Sequence, residues 1–226
     1  SKCGCADVLE EVGIPIVLKP EQVKQLIEET NFGFLFAPTH HKAMKHVMPV
    51  RKALKLRTLF NIIGPLSNPA NANYQLVGVY EEKLVEIFAQ VLSELKTIRA
   101  LVVHGKDGLD EMTTTEDTLI AEVKDGKYEI KTIKPEDFGL KRTTLDDLKG
   151  GDVTVNKEIM LQILKGKKGP KRDIVLLNSG AALYITGKSE SINEGIEIAK
   201  DLIDSGKVLK KLEEYKERAI SMVQKK

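Results

Sequence analysis

Apolar residues recur along the chain in two spacings, one typical of helices and one typical of strands. Residues 75–80 and 99–105 are short runs rich in Val and Leu, which predicts buried strands. Between them, residues 82–96 carry apolar side chains every three or four positions, which predicts an amphipathic helix. Gly78 lies inside the first strand, where glycine indicates a close approach by another backbone segment. A strand–helix–strand unit of this kind is typical of parallel sheets covered by helices.

The same reasoning applied to the rest of the chain predicts an α/β protein with a central, mostly parallel sheet flanked by helices. We find no linker or repeat, so residues 1–226 are predicted to form one domain. Alternating residues on both sides of Asp125-Gly126 predict a hairpin. The other predicted elements are helices at 6–13, from 20 onward, 39–54, 154–165, 171–186, 189–205 and 206–223, and a buried strand at 32–37.

Composition and charge then exclude several classes of protein. The 226 residues are 42% hydrophobic, with 35 Lys and Arg against 33 Asp and Glu. The net charge is only +2, and the basic residues are interleaved with acidic ones, so we expect no nucleic-acid partner. No apolar run approaches the roughly 18 residues that a membrane span requires, so we expect no membrane segment. Cys3 and Cys5 are the only cysteines, and such a close pair is poorly suited to a disulfide, which favours a reduced, cytoplasmic protein.

The clearest candidate for chemistry follows the predicted strand at 99–105. Asp110 and Glu111 are adjacent carboxylates in a loop at the carboxyl end of that strand, which is where open α/β sheets bind ligands. Like charges this close repel each other unless a cation lies between them. Carboxylate oxygens suit Mg²⁺, which keeps further positions for water and phosphate. The alternative is that both residues only cap the next element.

Two further segments offer weaker signals. Arg51 lies near His41 with Pro49 between them, and its guanidinium could bind a carboxylate with two parallel hydrogen bonds or could simply be solvated. Gly64-Pro65 ends an apolar run and predicts a fixed turn of the kind that often walls a pocket.

Taken together, motifs spread over the whole chain resemble the anthranilate phosphoribosyltransferase family of tryptophan biosynthesis. The motifs, in order, are the segments 1–10, 34–41, 50–52, 57–69, 108–111, 168–173 and 178–184. The resemblance implies the large α/β domain of the nucleoside phosphorylase and phosphoribosyltransferase fold. It also implies transfer of a phosphoribosyl group from phosphoribosyl pyrophosphate to the anthranilate amine, with release of pyrophosphate and with Mg²⁺ as cofactor.

The resemblance also assigns roles to residues near the two substrates. It implies that Asp110 and Glu111 hold Mg²⁺ against the diphosphate and that Arg51 binds the anthranilate carboxylate. His41, Gly64 and Pro65 would wall the anthranilate channel. No residue is implied as a covalent nucleophile.

Two residues at the start of the chain are implied to contact phosphoribosyl pyrophosphate. Ser1 resembles the last residue of a Ser-Ser pair in the family, and Cys5 occupies a position where a small hydroxyl residue would contact the diphosphate. The family usually has Ser at both Cys3 and Cys5, and a thiol is a poorer hydrogen-bonding group than a hydroxyl.

The family's glycine-rich pyrophosphate loop and its Lys-His-Gly-Asn turn would lie before Ser1. We therefore expect this chain to be truncated and inactive alone, with the preceding segment removed or supplied by another chain. The family also commonly forms homodimers. Two alternatives share the fold: a pyrimidine nucleoside phosphorylase, disfavoured by Arg51 and the carboxylate pair, and a binding module without catalysis.

Overall fold

The protein is described by a computed structural model that covers residues 3–40, 64, 66 and 70–224. In chain order its elements are α1 (Cys5–Glu11), α2 (Pro20–Thr30), α3 (Ala37–His40), β1 (Tyr74–Gly78), α4 (Lys83–Glu94), β2 (Arg99–Gly105), β3 (Thr118–Lys124), β4 (Lys127–Ile133), a 3-10 turn (Pro135–Phe138), α5 (Leu145–Leu148), α6 (Val153–Leu164), α7 (Pro170–Ile185), α8 (Ile192–Asp204) and α9 (Lys207–Gln224). None of the helices in these ranges is long and apolar enough to cross a bilayer.

The chain divides into two compact units. The first comprises residues 1–69, 150–166 and 205–226, and the second comprises residues 70–149 and 167–204. The prediction of a single domain over residues 1–226 stays a prediction.

The first unit is built from helices around an apolar core. α1 begins at Cys5 and ends before Gly13, whose φ of 92° favours glycine, and α2 begins with Pro20 at its first position. Both helices were predicted at these places. The buried core is shared by α1, the segment that follows it, α2 and α9, and consists of Leu9, Val12, Ile14, Ile16, Leu18, Val23, Leu26, Tyr215, Ala219 and Met222.

The predicted strand at 32–37 is wrong. Residues 32–36 have no regular structure, and α3 begins at Ala37. The aromatic side chains instead pack on the helical core: the Phe32 ring meets the Tyr215 ring edge-on at 4.7 Å. The Phe34 N–H donates to the Tyr215 hydroxyl at 3.3 Å. An apolar run of this length predicts burial, but only tertiary contacts decide between a strand and an irregular segment.

The second unit contains a four-stranded sheet in the order β1-β2-β3-β4. β1 pairs in parallel with β2, with Gly78 opposite Val103. β2–β3 and β3–β4 are antiparallel, and Asp125-Gly126 forms the hairpin turn as predicted. The α/β class is therefore confirmed, whereas the sheet formed by the described residues is mixed and not mostly parallel. The sequence pattern predicts the β3–β4 hairpin but does not show which other strand pairs with it. The antiparallel pairing of β3 with β2 was therefore not predicted.

The strand that carries the candidate site is the most deeply buried one. Residues 100–105 of β2 are all buried, and both α4 and α7 pack against this strand. Leu176, Leu177 and Ala181 bury the inner face of α7, as its small and apolar sequence predicts. The loop after β2 therefore starts from a rigid position.

Candidate functional site

The loop that follows β2 is a tight, hydrogen-bonded turn. The Gly105 N–H donates to the Leu109 carbonyl at 2.9 Å, and the Gly108 N–H donates to the Gly105 carbonyl at 2.8 Å. Gly108 has a φ of 92°, a conformation that other residues rarely adopt. The turn ends by presenting Asp110 and Glu111 at the surface, where both are exposed.

Asp107 organises this turn from within. Its carboxylate accepts hydrogen bonds from the Leu109 N–H at 3.0 Å, from the Thr113 hydroxyl at 2.5 Å and from the Thr115 hydroxyl. Thr113 and Thr115 are buried, so these bonds connect the turn to the interior. Nothing in the local sequence distinguishes Asp107 as the residue that organises the turn. Its position two residues after a glycine at a strand end was the available signal, and it was too general to assign a role.

The charge distribution at this turn fits a divalent cation. Desolvation raises the pKa of the Glu111 carboxyl above its ordinary value, and the negative charges of Asp110 and Asp107 raise it further. A cation beside the pair would offset this repulsion, and Mg²⁺ usually takes one or two carboxylates from a protein. Within the described ranges, no group of three or more His, Cys, Asp and Glu side chains converges on one metal position. The donor set therefore fits Mg²⁺ held with substrate oxygens, and does not fit a closed structural site.

Gly78 allows the backbone at Asp110 to lie against β1. A Cβ added at Gly78 would lie 1.5 Å from the Asp110 carbonyl oxygen and 2.4 Å from its carbonyl carbon. Only glycine permits this contact, and the predicted close approach at Gly78 is confirmed. The turn that carries the carboxylate pair is thus pressed onto the neighbouring parallel strand.

A second contact, between residues far apart in the sequence, holds Met112, the residue after the pair. Asn178 of α7 accepts a hydrogen bond from the Met112 N–H at 3.0 Å and donates one to the Met112 carbonyl at 2.8 Å. Asn178 lies within the helix predicted at 171–186. Its contact with a loop 66 residues away could not be read from local sequence.

The far end of the loop is also held by charge. Arg142 forms ion pairs with Glu116 at 3.4 Å, Asp117 at 2.5 Å and Glu136 at 2.8 Å. Its hydrogen bond to Asp117 lowers the pKa of that carboxyl. Each pair is exposed and individually weak. The pairs with Glu116 and Asp117 connect the loop to the segment after β4, and the pair with Glu136 lies within that segment.

His104, the next-to-last residue of β2, is buried. Its Nδ1 lies 2.8 Å from the Val79 carbonyl oxygen, which can only accept, so Nδ1 carries a proton. His104 therefore links the end of β2 to the residue that follows β1.

The residues predicted to contact the substrates are described only in part. Ser1, His41, Arg51 and Pro65 lie outside the described residues. Gly64 is half-buried, and a Cβ added there would meet no described atom within 4 Å.

Cys5 is the first residue of α1 and is exposed with a free thiol. Partial desolvation, together with the neighbouring Cys3, raises the pKa of the Cys5 thiol. The thiol is therefore protonated near neutral pH and can offer a weak S–H donor but no negative charge.

Comparison with known proteins places this chain among glycosyl transferases. The chain is similar to the anthranilate phosphoribosyltransferases of Methanobrevibacter smithii, with 49% identity over 215 residues, and of Thermoanaerobacter sp., with 54% identity over 217 residues. These alignments cover 95% and 96% of this chain but 64% of each relative, so the chain spans just under two thirds of their length.

Solved structures give the same result for the fold. The crystal structure of the anthranilate phosphoribosyltransferase from Thermus thermophilus has a TM-score of 0.89 at 41% identity and covers 95% of this chain and 64% of that chain. The enzyme from Saccharomyces cerevisiae in complex with PRPP and Mg has a TM-score of 0.89 at 27% identity, covering 96% of this chain and 63% of that chain. The family described as "Glycosyl transferase family, a/b domain" matches residues 1–209, and the chain belongs to that family.

Proposed function

We propose that this chain is the α/β part of an enzyme that transfers a phosphoribosyl group from phosphoribosyl pyrophosphate to anthranilate, in tryptophan biosynthesis. The observation that carries the proposal is the 49–54% identity to curated anthranilate phosphoribosyltransferases over at least 95% of this chain. The carboxylate pair at the end of β2 supports it, because a diphosphate leaving group needs a cation and this turn suits one. A phosphorylase would not need Arg51 together with this pair.

In this proposal Asp110 and Glu111 would hold Mg²⁺ against the diphosphate. Mg²⁺ would supply charge neutralisation to the departing pyrophosphate. Asp107 does not compete for the cation, because its oxygens accept hydrogen bonds from Leu109, Thr113 and Thr115. These hydrogen bonds divide the roles of the carboxylates. Asp107 shapes the turn, whereas Asp110 and Glu111 remain available to a ligand.

The remaining substrate contacts are part of the same proposal. Arg51 would bind the anthranilate carboxylate with a planar pair of hydrogen bonds, and His41, Gly64 and Pro65 would wall the anthranilate site. Cys5 and Ser1 would contact phosphoribosyl pyrophosphate, with Cys5 as a weak donor. The reaction is then driven by holding the amine close to the anomeric carbon and by stabilising the leaving group, with no covalent intermediate on the protein.

The proposal is tested by removing the charge of the carboxylate pair. The chain would be joined to the part of the Thermoanaerobacter relative that the alignment leaves out, and anthranilate consumption would be followed by fluorescence. Asp110→Asn with Glu111→Gln is expected to abolish Mg²⁺-dependent binding of phosphoribosyl pyrophosphate in calorimetry, while circular dichroism shows a retained fold. The matched control is Glu213→Gln with Glu214→Gln, an exposed adjacent pair on α9 whose loss changes the net charge equally. Full metal-dependent affinity in the Asp110/Glu111 variant would overturn the site, and no turnover by the unmodified fusion would overturn the activity.

We also propose a cytoplasmic, homodimeric enzyme. Neither Cys3 nor Cys5 forms a disulfide, which suits a reducing compartment. Light scattering on the fusion protein distinguishes a dimer from a monomer.

A further inference from the structure

The side-chain amide of Asn178 makes three hydrogen bonds, which use both hydrogens of its Nδ2 and its Oδ1 as an acceptor. Its Oδ1 accepts from the Met112 N–H at 3.0 Å, and its Nδ2 donates to the Met112 carbonyl at 2.8 Å and to the Ile174 carbonyl at 3.0 Å. The bond to Ile174 lies within α7 and orients the amide toward the loop. Because both backbone groups of Met112 are satisfied by one side chain, the peptide units on either side of Met112 are held in one orientation.

Met112 links Asn178 to the exposed carboxylate pair. Its side chain is fully buried, and the residue directly before it is Glu111. On the other side of the pair, the Asp110 backbone is pressed against Gly78. The two exposed carboxylates therefore sit between two fixed points of the backbone, one on β1 and one on α7.

This arrangement opposes the mutual repulsion of the carboxylates in the turn. Asp107, Asp110 and Glu111 place three carboxyl groups in one turn, where like charges repel each other and favour a more open backbone. Asn supplies a donor and an acceptor without adding a charge, whereas Asp at the same position would add a fourth carboxylate and lose both donors. An asparagine at position 178 can therefore hold the turn without adding to its negative charge.

We propose that Asn178 is a positioning residue that holds Asp110 and Glu111 in their cation-binding arrangement through the backbone of Met112. The inference rests on the proposed function, since it concerns the same carboxylate pair. Residues that orient metal ligands from behind commonly change metal affinity about 10–100-fold when they are removed.

The test uses the fusion of this chain with the rest of the Thermoanaerobacter relative, with Mn²⁺ as a paramagnetic probe in place of Mg²⁺, titrated with inorganic pyrophosphate present. Broadening of the Asp110–Met112 amide signals in NMR spectra reports the cation, and exchange of the Met112 amide hydrogen reports the contact without any metal. Asn178→Ala is expected to weaken Mn²⁺ binding by about tenfold or more and to accelerate exchange at Met112. Asn193→Ala is the matched control, because Asn193 donates one hydrogen bond to the Asp137 carbonyl at 3.3 Å, far along the chain from the pair.

Faster exchange at Met112 with Mn²⁺ affinity within twofold of the unmodified fusion would overturn the positioning role. Unchanged exchange at Met112 would overturn the contact itself. If Asn178→Ala does not fold, Asn178→Ser serves the same comparison, since a short hydroxyl cannot reach both backbone groups. Absence of Mn²⁺ broadening in the unmodified fusion would instead refute the proposed cation site, which separates that failure from failure of the Asn178 proposal.

Discussion

Replacing Gly78 by Ala should move the carboxylate pair, because the new methyl group would occupy space now filled by the Asp110 carbonyl. Gly78 ends β1 and lies opposite Val103 of β2, so its backbone is held by the sheet. The atoms it would meet belong to backbone, which cannot rotate away as a side chain could. The turn, and not the strand, has to yield.

The size of the displacement follows from the contact distances. A methyl carbon at 1.5 Å from the Asp110 oxygen must reach at least 3.4 Å for an ordinary contact, so the Asp110 backbone has to move by about 2 Å. Overpacking of this kind typically costs about 1–3 kcal/mol of stability. We expect the upper end of that range, because the hydrogen bonds of Asp107 and Asn178 resist the movement of the turn.

The assay compares Gly78→Ala with Gly126→Ala. Gly126 lies in the β3–β4 turn with a φ of 72°, and a Cβ there would meet nothing within 4 Å, so alanine introduces backbone strain of about 1–2 kcal/mol without a clash. Urea denaturation gives the free energy of unfolding of both variants, and the Mn²⁺ titration gives their cation affinity. Both variants should be destabilised, but only Gly78→Ala should lose affinity by tenfold or more. Stability within about 0.5 kcal/mol of the unmodified chain, or unchanged Mn²⁺ affinity in Gly78→Ala, would refute this reasoning.

Two further predictions concern the ion pair of the buried Arg172 and the proposed anthranilate site. Arg172 is buried, and its ion pair with Asp204 at 2.7 Å lowers the pKa of the Asp204 carboxyl. The stability that this ion pair contributes is complete above the pKa of an unfolded Asp. It is lost as the pH falls through the lowered pKa of Asp204 in the folded protein. Asp204→Asn should therefore lower the melting temperature at pH 7 and flatten its decline in acid, as measured by calorimetry, and an unchanged decline would contradict this. Arg51→Ala in the fusion protein should raise the KM for anthranilate and leave that for phosphoribosyl pyrophosphate nearly unchanged, and an unaltered anthranilate KM would remove Arg51 from the site.

Local patterns in the sequence were sufficient for most elements because each depends on its own residues. α4 and α9 carry regular apolar stripes, and Asp125-Gly126 forms the turn that its residue types favour. The carboxylate pair was located from its place after a buried strand. These predictions succeed where helical or turn preference and burial require the same structure.

Tertiary contacts decided the rest. The run at 32–36 has the composition of a strand but packs on Tyr215, and β2 pairs with β3 in an antiparallel manner that the strand sequences do not specify. The features that hold the candidate cation site also depend on distant residues: Gly78 lies against Asp110, and Asn178 binds Met112. The sequence by itself determined which residues carry the charge, because charge belongs to the side chain. Only the folded chain decided how firmly those charges are held together, because that depends on backbone segments from β1 and α7 that become neighbours of the turn on folding.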